Sequence, residues 1–238
     1  MILFGKSEII WTGIWRYKIP SVIYMSDNER IDFLLTQLPL YSEDLGIDLT
    51  KPSGRFRWFL ASILFGASIS ESIASKTYRA FENAGLDSLE KVLSADWNEL
   101  VSILDSGGYV RYDFSTATKL QNVMRKLKEK YGTLEDLRLQ SSDAHDLEMR
   151  LQEFKGIGPT TTQIFLRELR GVWKLKLKPS SKAGMVAKHL DINLDELDGE
   201  RLSRVETALT KIAIRCCKKK SCRECPAMGF CKEIKSKQ

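Results

Sequence analysis

The first 215 of the 238 residues contain no cysteine, and all five cysteines fall in the last 23. A small secreted fold stapled by disulfides would spread them along the chain. Their crowding at one end instead points to a metal or cluster site in a reducing, intracellular compartment. No apolar run approaches the length of a membrane span. The opening Met1–Glu8 lacks the basic stretch and long apolar stretch of a secretory signal, so none is expected. Neither a repeat of fixed period nor a low-complexity tract is present. Acid is missing where base is plentiful: residues 169–190 hold Arg170, Lys174, Lys176, Lys178, Lys182 and Lys188 and no Asp or Glu. Residues 211–238 hold nine basic side chains against two acidic. With 43% hydrophobic and 29% charged residues the chain is ordinary folded-protein material, long enough for one large core or two modest ones. A formal charge of +6 suits a polyanionic partner.

Apolar spacing predicts an all-α chain. Phe56, Phe59, Leu60, Ile63 and Leu64 recur at helical intervals before Gly66. A second helix over 70–83 is marked by Ile73, Tyr78 and Phe81, with Gly85 as its stop. Asp87 with Glu90 and Asp96 with Glu99 read as two capping pairs. Ser115 is expected to cap a longer helix whose buried stripe is Leu120, Val123, Met124, Leu127 and Tyr131, ended by Gly132. His145–Lys155 and Pro159–Leu169 make the next pair. Leu202, Val205, Leu209, Ile212 and Cys216 hold one phase along the last helix. Residues 1–26 read as short strands or an irregular wrap, 39–54 as loop, and Trp173–Lys178 alternates as a strand does.

Between the two helices of that pair lies Lys155-Gly-Ile-Gly-Pro-Thr-Thr-Thr162. Gly156 and Gly158 permit a tight reversal around Ile157. Pro159 suits the first position of a helix. The free N–H groups at that helix start, with the positive end of its dipole, form an anion site that a DNA phosphate fits without sequence readout. The plainer reading is an interhelical turn. The flanking Leu151, Phe154 and Thr161 favour a helix–hairpin–helix motif.

With these motifs in their order, residues 55 to about 192 resemble the helix–hairpin–helix DNA glycosylases of the endonuclease III type. Arg55–Leu64 matches the helix that opens their domain, and Leu104–Arg111 the turn before their long helix. The resemblance implies a two-lobed helical glycosylase fold: a six-helix barrel-like domain over 55–190 carrying the hairpin at 147–169, beside a cluster-bearing helical domain. The latter would combine an N-terminal segment, 1–54, with 191–238. It also implies duplex DNA, damaged or distorted, as partner, a monomeric protein, and a cytoplasmic or nucleoid location.

The family's chemistry is not matched. Its Schiff-base lysine, two residues after the second hairpin glycine, is Thr160 here. Its catalytic aspartate falls at about Ser180, and a serine offers a hydroxyl dipole in place of a charge that is worth orders of magnitude in rate. The glutamine that fills the space of a flipped base is matched by Ala67 or Ser68, too small for that task. Asp113 and Lys182 are the candidate substitutes, set against a turn acid and a phosphate-contacting base. Gly156, Ile157, Gly158, Thr160, Thr161, Lys178, Lys182, Lys219 and Arg223 are the expected DNA contacts.

The family's cluster pattern is Cys-x6-Cys-x2-Cys-x5-Cys. Cys222, Cys225 and Cys231 keep the last two spacings, while the first ligand is Cys216 at x5 or Cys217 at x4. Cys216 continues the buried stripe, and an α-helix turns Cys217 about 100° away. Four thiolates suit a [4Fe–4S] cluster, which the resemblance favours, or structural zinc. Two functional readings stay open: a DNA-binding protein of repair or structure recognition that lacks the usual chemistry, and a monofunctional glycosylase with a relocated catalytic residue.

Overall fold

The structure, a computed structural model, describes residues 25–235. Among them no strand occurs, and the all-α expectation holds. Helix α1 (Asp27–Gln37) opens on Ser26, whose hydroxyl and backbone exchange hydrogen bonds with Glu29 in a capping box. A single turn, α2 (Tyr41–Asp44), and α3 (Pro52–Phe65) follow, so the expected loop over 39–54 is interrupted by helix. Then come α4 (Glu71–Asn83), α5 (Leu89–Ser94), α6 (Trp97–Gly107), α7 (Asp113–Lys130), α8 (Leu134–Leu139), α9 (Ala144–Gln152) and α10 (Pro159–Leu169). The chain closes with α11 (Ser181–Leu190), α12 (Gly199–Ile212) and the short α13 (Lys232–Lys235).

Local chemistry explains most of these starts, with three corrections to the sequence expectations. Asp96 caps α6, accepting the Glu99 N–H at 2.8 Å as expected. Ser88, not Asp87, caps α5, because Asp87 is held one residue outside by Lys91. Helix α7 begins at Asp113, two residues before the expected Ser115 cap, and the Ser115 hydroxyl turns back to the Tyr112 carbonyl. The alternation in Trp173–Lys178 places Leu175 inside and the lysines outside, but no strand forms: Trp173 and Lys174 belong to a turn, with Lys174 at φ +51°. Leu175 N–H bonds to the Arg170 carbonyl instead. Of the irregular segment expected at 1–26, residues 1–24 lie outside the described range.

The buried apolar side chains form two clusters. The larger runs from Tyr41 to Leu175, with Trp58, Phe59, Tyr109, Phe154 and Phe165 at its centre. The smaller joins Ile31, Leu34 and Leu38 of the α1 region to Ala183, Val186 and Leu190 of α11, Leu209 and Ile212 of α12, and Phe230. Burying each Val, Leu, Ile or Phe among them contributes about 1.5–3 kcal/mol before chain entropy is charged against it.

Between the clusters the contacts are polar. Glu168, at the end of α10, accepts the Tyr41 and Ser42 N–H groups at 2.9 Å each and so caps α2. Arg170 pairs with Glu206 of α12, both side chains almost fully buried. Lys211 reaches Asp44 at 2.7 Å. Burial pushes the Lys211 amine down, and the Asp44 carboxylate opposes that shift.

Candidate nucleic-acid interface and cysteine site

The hairpin forms where the sequence places it. After α9 the chain reverses through 153–158, with Gly156 at φ +93°, a conformation that L side chains rarely adopt. Gly158 differs. Its φ of −103° is open to any residue, and a Cβ added there would meet no protein atom within 4 Å. Pro159 opens α10, and no side chain caps that helix end. Among the described residues the N–H groups of Gly158, Thr160 and Thr161 have no protein acceptor, as the first turn of a helix leaves them. Ile157 is buried and anchors the turn, while Thr160 is exposed.

Thr161 points inward and fixes the hairpin to α3. A Cβ on Gly66, just past the end of α3, would lie 2.1 Å from Thr161 Oγ1. The same end of α3 holds the turn before α7, because Tyr109 donates its hydroxyl to the Leu64 carbonyl at 2.8 Å. One face therefore gathers the hairpin, the exposed Ser68 and the turn 108–112. From that turn Val110 projects with 64% exposure, and Phe114 of α7 with 60%.

Lys174, Lys176, Lys178 and Lys182 are exposed, and none enters an ion pair among the described residues. Lys218, Lys219, Lys220 and Arg223 are likewise exposed and unpaired. A surface cavity lies elsewhere, at the opposite end of α10. Glu43, Asp48, Glu168 and Glu200 line it with a single cation, Arg204. That face repels a polyanion.

The positions matched to the family's catalytic residues carry different chemistry. Ser180 is 5% exposed and caps α11, its hydroxyl accepting the Ala183 N–H at 3.3 Å. Its own N–H donates to Glu206 at 2.8 Å. A carboxylate thus does stand beside Ser180, brought from α12. No local motif announces it, since it lies 26 residues on in sequence. Buried and paired with Arg170, Glu206 is not free to meet a ligand. Asp113 binds the N–H of Phe114 at the start of α7 and faces Asp105. Partial desolvation, then the hydrogen bond and charge of Asp113, push the Asp105 carboxyl up.

Cys216, Cys217, Cys222, Cys225 and Cys231 all line one small cavity, with Val186, Leu190, Ile212, Ala227 and Ile234 as apolar walls and His189 beside them. Cys217 was expected to turn away. Instead Ala213–Cys217 winds as a π-helical turn, closed by Lys218 N–H to the Ala213 carbonyl at 2.9 Å. The wider turn rotates less per residue and keeps both neighbouring thiols on the cavity. Burial pushes the Cys216 and Cys217 thiols up, and Cys225 to about 12. Among the described residues no three His, Cys, Asp or Glu side chains are gathered closely enough to hold a metal ion. No helix there is long and apolar enough to cross a membrane.

No family model matches the chain, and no curated protein matches it. Among solved structures it is similar to the crystal structure of the H. pylori 3-methyladenine DNA glycosylase (MagIII) bound to 1,N6-ethenoadenine. The identity is 12% and the TM-score 0.47, over 82% of this chain and 99% of that one.

Proposed function

We propose that this chain grips the backbone of duplex DNA with its hairpin and basic segments, and that it serves repair or the recognition of damaged or distorted DNA. The observation that carries the reading is Gly158. Neither its dihedral angles nor any neighbouring atom calls for glycine. Its bareness keeps the N–H groups of Gly158, Thr160 and Thr161 open to a phosphate, beside the positive end of the α10 dipole. The unpaired lysines at 174–182 add the sequence-independent attraction that dominates binding to DNA.

Binding without the endonuclease III chemistry is preferred because Thr160 cannot form an imine. The carboxylate nearest Ser180, Glu206, is already neutralised by Arg170. Asp113 is the acid to watch for a monofunctional glycosylase, since it stands on the same side of the molecule as the turn 108–112.

Four of the five thiols are assigned to a [4Fe–4S] cluster, with Cys222, Cys225 and Cys231 joined by Cys216. What supports this is the donor set, five thiols on one small cavity that His189 also lines. The bound group would order the basic stretch Lys218–Arg223; iron content and visible absorbance distinguish it from zinc.

The test of the main reading is duplex binding as a function of salt. The logarithm of affinity should fall linearly with the logarithm of salt, by about 0.9 per phosphate neutralised. Salt-independent binding would remove the proposal. Single-turnover incubation with a panel of damaged-base duplexes should release no base; release abolished by Asp113→Asn would establish the enzymatic reading instead.

A further inference from the structure

Three lysines of α7, Lys119, Lys126 and Lys130, lie along the hairpin. Lys126 donates to the Glu153 carbonyl at 2.7 Å, and Lys130 pairs with the Glu153 carboxylate. Lys119 is different. A Cβ built on Gly156 would stand 2.9 Å from its Cγ, 3.0 Å from Cδ and 3.1 Å from Cε. Its stem therefore lies flat across the reversal, in space that only a glycine leaves free. Among the described residues no carboxylate, carbonyl or hydroxyl takes up its ammonium group.

We propose that Lys119 is a DNA-contacting residue, a cation carried by α7 and steered across Gly156 so that it neutralises a backbone phosphate held at the hairpin. The inference rests on the DNA-binding reading given above and names a contact from outside the motif. Gly156 then has two tasks: it takes the positive φ of the turn, and it opens the channel for the lysine stem. Burial lowers the Lys119 amine from its ordinary range, with no charged neighbour opposing the shift. A desolvated cation without a counter-charge is costly, and a phosphate relieves that cost.

The test uses the full chain and a short undamaged duplex. Lys119→Met keeps a linear apolar stem against Gly156 and removes the charge. It should lower the salt slope by about 0.9 and weaken binding equally across sequences. Lys119→Arg should keep the slope. In wild-type protein, bound duplex should shield Lys119 from acylation by an amine-reactive ester, read by peptide mass, so the outcome does not depend on how well a variant folds. If wild-type protein binds with a clear salt slope, an unchanged slope in Lys119→Met or unshielded acylation of Lys119 overturns this contact alone. If wild-type protein shows no affinity for duplex at low salt, the DNA reading falls and takes this contact with it.

Discussion

The hairpin region and the cysteine region solve the same problem, holding a short irregular segment in one shape, by opposite means. The hairpin is held by packing. Ile157 and Phe154 are buried beneath it, Thr161 is locked against Gly66, and its helices belong to a large apolar cluster. The segment 213–231 has little of that. Its apolar contributions to the smaller cluster come from Ala213, Cys216, Ala227 and Phe230, and its turns are single loops of 3-10 helix. A shape fixed by packing persists without a ligand. A shape fixed by ligated thiols, as proposed for this segment, would depend on what they bind.

That contrast can be broken in several places. The largest effect is expected at the junction of the two regions. Arg170→Met leaves Glu206 buried without its counter-charge, held only by the Ser180 N–H, and should cost about 3–5 kcal/mol in urea denaturation. A loss below about 1 kcal/mol would mean that the carboxylate finds water or a proton instead. Next, Gly66→Ala should drive a methyl into Thr161 and cost about 1–3 kcal/mol. Thr161→Ala in the same chain should recover most of that loss, and simple additivity of the two changes would show that they are not in contact.

Replacing Cys222, Cys225 and Cys231 together by Ser should speed amide exchange over 213–231 while leaving 144–169 protected. Equal loss in both regions would join what the comparison separates. The smallest effect, about 1 kcal/mol, is expected from Asp96→Ala, which removes only the α6 cap; thermal melting resolves it.

Much of the hairpin side was legible in residue order. Pro159 marks the start of α10 because its ring and missing N–H fit that position and little else, and Leu169 ends it as spacing requires. Where two neighbours competed for one role, spacing could not choose. Asp87 and Ser88 both suit a cap, and the ion pair with Lys91 decides between them. Lys119 carries no motif; only its helical phase with Lys126 and Lys130 hints that it shares their face. Glu206 reaches Ser180 through tertiary packing, which no local pattern encodes. The π-helical turn at 213–217 was invisible for a related reason. The phase argument for Cys216 over Cys217 assumes regular α-winding up to the cysteines, and the winding changes there.

The smaller cluster takes Ile31 and Leu34 from near one end of the described chain and Leu209, Ile212 and Phe230 from near the other. The larger is complete between residues 41 and 175. A chain leaving the ribosome can therefore close the hairpin core while the apolar face of α1 is still waiting for partners not yet made. Since domains fold as units during synthesis, that face meets its partners among the described residues only once 183–230 have emerged. A ribosome stalled before α12 would release a protein with a finished hairpin core and one sticky helix, a form that chaperones must hold or proteases remove.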